Sequence, residues 1–182
     1  MSQNTDCGIN TLKNIFQRQW KKLQSLLTLF FLMKENHTII ETLDSRIIRF
    51  IKKHHTLSLA TSAGNTPWCC SCFYVYDEKE NKIIITSDND TRHVAEFLAQ
   101  PYVAGTIALE TLAVGKIQGV QFSGTVKKIS GKENEHARKA YIKRFPVAAF
   151  SELTLWSIEI NYIKFTHNQL GFGKKLIWKQ KK

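Results

Sequence analysis

The chain has 182 residues, of which 43% are hydrophobic and 11% aromatic, which suits one domain with a sizeable core and excludes a disordered polymer. Its formal charge of +11 sits largely at the ends: residues 1–32 carry net +3, residues 171–182 carry five lysines and no acid, and the residues between hold 17 bases against 14 acids. The ends therefore read as solvated, solubilising segments rather than a nucleic-acid surface, and no nucleic-acid partner is expected.

Cysteine usage excludes a secreted disulfide framework. Of four cysteines, Cys69, Cys70 and Cys72 fall in one apparent strand, and Cys7 stands apart. Cys70 and Cys72 share a strand face and Cys69 takes the other. A zinc site needs about four ligands, and no second ligand pair is visible. Small buried thiols are expected, with no metal.

Residues 1–38 read as an N-terminal extension outside the domain, which spans 39–178 and ends in a basic tail, 179–182. Lys21 and Lys22 precede an apolar run, residues 23–33, too short for the roughly 20 residues of a membrane span. No small-residue cleavage site follows it. From Met33 the chain opens like an ordinary cytoplasmic domain, so a cytoplasmic protein without a membrane partner is expected.

Leu43, Ile47, Phe50, Ile51 and His54 recur at spacings of three and four, which predicts a helix. His54 and His55 then mark its end rather than a catalytic pair. The period changes to two at residues 56–61. A turn at "SAGNTP" leads to a strand at 68–77, and "EKEN" leads to another at 82–87, giving a three-stranded meander. Further strands are expected at 102–110, 117–130 and 153–166. Residues 131–145 read as a helix with acids in its first turn and bases in its last. The fold class is mainly β (α+β): a small six-stranded antiparallel barrel with flanking helices.

The stretch "TSDNDTRHVAEFLAQP" (86–101) starts a helix with bases, against the helix dipole. Asp90 or Thr91 can cap that start. An anion would offset the misplaced charges: backbone N–H groups, the Arg92 guanidinium and the hydroxyls of Ser87 and Thr91 can all donate to a phosphate. The alternative is a surface ion pair of Arg92 with Asp88 or Asp90.

The order of elements, with "ITS" (85–87), "TRH" (91–93), "AQP" (99–101), "QGVQF" (118–122) and "LGFGKKLIW" (170–178), resembles the FMN-binding split β-barrel family typified by pyridoxamine 5′-phosphate oxidase. It is most similar to a small bacterial branch of that family. The resemblance covers about residues 43–178. It implies a six-stranded antiparallel split β-barrel that binds FMN between the subunits of a homodimer. Thr86, Ser87, Arg92 and His93 match positions that hold the phosphate and ribityl chain, with Thr91 beside them. Residues 71–76, including Cys72, Phe73 and Tyr74, match the strand whose backbone borders the flavin ring. Gln121 matches a strand that supplies a polar ring contact. Lys174 and Trp178 are candidates to close the partner's site.

Departures from the oxidase pattern bear on activity. Ser71 and Tyr76 stand where the oxidase has Arg and Lys, His93 replaces its second phosphate-binding Lys, and its C-terminal Arg-Leu segment is missing. These departures argue against oxidation of pyridoxamine phosphate. The resemblance implies an FMN-dependent oxidoreductase of unknown substrate, with no catalytic side chain assigned. The alternative is a non-catalytic module binding a flavin or haem, and a deazaflavin is a further option.

Overall fold

The computed structural model describes residues 16–25, 37–170 and 173–181. The chain divides into two units, residues 1–36 and 37–182. In the first, residues 16–25 form a helix (α1) on which Phe16 and Trp20 stack, with ring centroids 6.4 Å apart. Most of the apolar run, including Met33, lies outside the described residues. Among those described, no helix is long and apolar enough to cross a membrane.

The second unit opens with β1 (His37–Ile40) and α2 (Ser45–Lys53). Asp44 caps α2 by accepting from the Arg46 N–H at 2.8 Å. Its carboxyl also takes the Arg46 guanidinium, which holds it well below the usual range, at about 2. Ile47, Phe50 and Ile51 form the buried face of α2, and His54 is its C-cap, so the paired histidines do end the helix.

The meander follows as β2 (Thr56–Ala63), β3 (Thr66–Asp77) and β4 (Lys82–Thr86). Gly64 and Asn65 turn β2 into β3 with φ of 55° and 62°, a left-handed pair that the Gly-Asn sequence tolerates. Then come α3 (Arg92–Ala99), β5 (Tyr102–Ala108), β6 (Gln118–Lys128), α4 (Gly131–Arg144), β7 (Leu155–His167) and β8 (Lys175–Lys179).

β2, β3, β4, β7, β6 and β5 pair antiparallel in that order, and β5 returns to β2 to close a six-stranded barrel. Closure leaves these strands few open edges. β7 is the seam. One side pairs with β6 along nearly its whole length; the other pairs with β4 over residues 155–159 and with β8 over residues 162–166. β1 adds to β8 in parallel. The sequence reading missed β1 and β8, both short strands outside the barrel.

A bulge opposite Ser123/Gly124, with Asn161 as the extra residue, bends β7 around the barrel. Gly124 is needed there, because a Cβ would sit 2.4 Å from the Glu159 carbonyl oxygen.

The barrel interior is a continuous apolar core that includes Leu59, Ile83, Ile107, Ile158 and Phe165. A second cluster under α4 joins Ile84, Ile129, Tyr141 and Leu155. α4 carries Glu133 in its first turn and Lys143 and Arg144 in its last. Arg144 donates to the carbonyls of Lys52 and His54, satisfying the end of α2. Tyr74 is fully buried, and its hydroxyl donates to the Ile51 carbonyl at 2.6 Å.

Candidate functional site

Strand lengths create the site. β3 is longer than β4: residues 66–73 pair with β2, whereas pairing with β4 begins only at Tyr74, opposite Ile85. The first half of β3 therefore has an edge that β4 leaves open. The chain leaves β4 at Thr86 and turns through Ser87 into α3 beside that half-strand. Ser87 is fixed by its N–H to the Thr154 carbonyl at 3.2 Å and by the Trp156 indole, which donates to the Ser87 carbonyl at 3.0 Å.

Thr91 is the N-cap residue of α3, but its side chain makes no cap. Its hydroxyl donates backwards to the Asp88 carbonyl at 2.8 Å. The side-chain cap expected from Asp90 or Thr91 is therefore absent. The first backbone N–H groups of α3 keep no side-chain acceptor, which is the donor arrangement an anion needs.

Arg92 pairs with neither Asp88 nor Asp90. Its Nε donates to Glu96 Oε1 at 2.8 Å, one helical turn on, and its guanidinium lies 4.2 Å over the Trp68 ring. Glu96 is buried, at 8% exposure, and also accepts from the Thr61 hydroxyl at 2.5 Å. Those bonds from Thr61 and Arg92 hold its carboxyl below the usual range. The surface-pair alternative fails on partner choice, because α-helical spacing aims Arg92 at residue i+4 rather than at the preceding loop.

His93 turns inward. Its Nε2 lies 2.7 Å from Ser87 Oγ and 3.3 Å from Thr91 Oγ1. Burial pushes its pKa below the ordinary value, with Glu96 opposing weakly, so the ring is neutral at pH 7. Beneath it lie Cys70 and Cys72, with sulfurs 3.8 Å apart, on one face of β3 as expected; Cys69 is exposed on the other. The hydrogen bond to Cys70, followed by burial, pushes the Cys72 thiol up and keeps it protonated, and Ser87 opposes that shift.

The structure thus gathers Cys72, Ser87, Thr91, Arg92 and His93. Thr86 is adjacent, but its hydroxyl donates to the Thr154 carbonyl at 3.1 Å. Phe73 points away from Cys72 and packs on His55 and Phe145. Tyr74 has a buried side chain and a backbone paired to β4, so it offers the open edge neither. Gln121 is exposed on β6. Strand register sets it in one row with Thr106, Ser58 and Ser71, three strands from β3.

Lys174 and Trp178 lie on the β8 side of the seam, away from the start of α3. Trp178 packs in part against its own core. Sequence reasoning missed Trp68, Thr61 and Glu96, and it placed Cys70 beside Cys72 without linking it to this site. Only Glu96 carried a local signal, the i,i+4 spacing from Arg92.

Residues 43–167 match the family model described as pyridoxamine 5′-phosphate oxidase. A UPF0306 protein of Yersinia pseudotuberculosis is 42% identical over 132 residues, covering 72% of this chain and 90% of the relative. Among solved structures, a heme binding protein from Mycobacterium smegmatis aligns with a TM-score of 0.62 at 15% identity, over 76% of this chain and 59% of that one. A FAD-binding protein from Mesorhizobium loti aligns with a TM-score of 0.54 at 12% identity, over 66% of this chain and 90% of that one. With the closed split barrel, these matches place the chain in the pyridoxamine 5′-phosphate oxidase family, alongside bacterial UPF0306 proteins.

Proposed function

We propose that the protein binds FMN along the open edge of β3, with the flavin phosphate at the start of α3, and serves as a flavin-dependent oxidoreductase. The observation that carries this reading is the set of donors at that helix start. The first N–H groups lack a side-chain cap, Ser87 and His93 lie alongside, and Arg92 is held by Glu96 through Nε alone. Its remaining nitrogens have no hydrogen-bond partner among the described residues and suit two parallel bonds to a phosphate. Trp68 stacks on the guanidinium and limits its movement.

The residues fit the cofactor's chemistry. A dianionic phosphate receives backbone dipoles and one guanidinium, while neutral His93 donates or accepts without adding charge. Thr86 acts indirectly: its bond to Thr154 anchors the turn that carries Ser87. On the β3 edge away from β2, residues 71–73 present backbone groups that β4 leaves unpaired, one of them the Phe73 carbonyl that the Tyr141 hydroxyl meets at 3.4 Å, and Cys72 lines the floor. When bound, the flavin supplies hydride or electron transfer, and the chain supplies binding and orientation. Residues 39–178 are the functional domain in this reading.

A homodimer completes the proposal. Ser58, Ala60, Ala104 and Thr106 project from the outer face of β2 and β5, a small-residue surface that a second copy can approach closely. Gln121, Lys174 and Trp178 would act, if at all, across that interface.

The test is direct. The purified protein should absorb as a flavin or take up FMN with a rise in melting temperature. A Soret band would select the haem alternative. A colourless protein whose melting temperature FMN leaves unchanged would refute the proposal. Light scattering tests the dimer, and a monomer at micromolar concentration would remove Gln121, Lys174 and Trp178 from the site.

A further inference from the structure

Cys70 and Cys72 on β3 and His93 at the start of α3 come from distant parts of the sequence, yet their ligand atoms all lie within 4.8 Å of one another. We infer that these three side chains form a zinc-binding site with a fourth position open to water. The sulfur spacing is the first ground. Two thiolates bound to a tetrahedral zinc at about 2.3 Å each stand about 3.8 Å apart. The Cys70 and Cys72 sulfurs stand 3.8 Å apart. A disulfide requires about 2.05 Å; the sulfurs instead share a thiol–thiol hydrogen bond, and an ion can replace that bond with little movement of the sulfurs.

The surroundings are the second ground. A cysteine serving only as a small hydrophobe packs among apolar atoms. Cys72 borders the apolar core and Cys70 packs against it, but both thiols also face the His93 imidazole, and Cys72 meets the Ser87 hydroxyl. Cys72 is buried, Cys70 and His93 are half-buried, and the pocket between them is therefore poorly hydrated. The His93 imidazole places a ring nitrogen within 4.8 Å of both sulfurs, where it can serve as a third ligand. Ser87 and Thr91 both touch its Nε2 in the ion-free arrangement, so an ion taking that nitrogen replaces these contacts. Few adjustments separate this arrangement from a coordinated one: the imidazole exchanges its contacts with Ser87 and Thr91 for the ion, and both thiol protons, including the one shared between the sulfurs, leave to solvent as the ion enters.

Along the sequence Cys70 and Cys72 form a ligand pair with no second pair near them. The fold supplies one pair and one histidine, the ligand count of zinc sites that keep an open position. This inference does not rest on flavin binding. The two share His93, so an ion held there withdraws that ring from the phosphate.

The test uses the full-length, reduced, flavin-free protein titrated with Co2+ as a spectroscopic substitute for zinc. One equivalent should give a thiolate-to-cobalt charge-transfer band and intense visible bands of tetrahedral cobalt, both removed by added zinc. The charge-transfer band should persist in C7S/C69S and vanish in C70S/C72S. H93A should weaken Co2+ binding about ten-fold or more. A folded wild-type protein without the charge-transfer band overturns the inference, whether or not the variants fold. So does a band that survives C70S/C72S, and unchanged affinity in H93A removes the histidine from the site.

Discussion

Replacing Arg92 by Ala tests the anion reading where it is most exposed to refutation. Nε is committed to Glu96 at 2.8 Å, and the guanidinium is steadied by Trp68 at 4.2 Å, so the outer nitrogens are the ones left for a phosphate. One charge-assisted bond from them contributes about 1.5–3 kcal/mol. At about 1.4 kcal/mol per decade, R92A should raise the FMN Kd roughly 10- to 100-fold. Binding should not vanish, because the backbone donors of α3 remain. The substitution also strips the buried Glu96 of its cation, leaving Thr61 as its partner. Stability should fall for that reason alone, and R92A/E96Q should recover stability without recovering affinity. Flavin fluorescence titration measures affinity, and thermal melting separates it from stability. A folded R92A that binds FMN within about two-fold of wild type would mean that Arg92 serves only Glu96.

Other outcomes are expected from the same structure. Tyr74→Phe removes the buried hydroxyl on the Ile51 carbonyl and should cost about 1–2 kcal/mol by urea denaturation; no loss would mean that this bond contributes nothing net. Gly124→Ala places a methyl 2.4 Å from the Glu159 carbonyl oxygen, and a cost of about 1–3 kcal/mol is expected, with little change if the bulge can relax. The His54, His93 and His167 pKa values are lowered in the fold, mainly by burial. The unfolded chain then binds more protons below its ordinary histidine pKa of about 6.5, so stability should be complete above that pH and fall as pH drops through the lower folded values. Urea midpoints from pH 7.5 to 5 check the sign, and His93→Gln should reduce the slope.

The sequence revealed the barrel more fully than the site. Most barrel strands have a period-two pattern bounded by turn residues, and β4 is a short apolar run between turn residues, buried on both faces, so their existence was legible from local order. β1 and β8 were not. A four-residue strand has too few alternations to read, and its parallel partner lies more than a hundred residues away. At the site, "TRH" was found because bases at a helix start conflict with the dipole, and a conflict is visible locally. The Arg92 partner differs from the loop acids Asp88 and Asp90 because helical spacing brings Glu96, one turn on, within 2.8 Å of its Nε. Trp68 and Thr61 carried no local signal. They reach α3 only because β2 and β3 pair beside it, and that proximity is a property of closure. Cys70, Cys72 and His93 illustrate the same limit, since alternation put the sulfurs on one face but could not say what stood above them.

The seam has a kinetic consequence. β4 and β6 must both wait for β7, whose partners on β4 lie 69 to 77 residues earlier in the chain. During synthesis the meander and β6 are complete first, with their barrel-facing apolar residues uncovered and two strand edges unmated. Such long-range pairing is slow to form, and the open intermediate is prone to associate with copies of itself. Folding should therefore be governed by the arrival of β7: a chain ending before Leu155 should lack a cooperative unfolding transition, and refolding yield of the whole protein should drop as concentration rises.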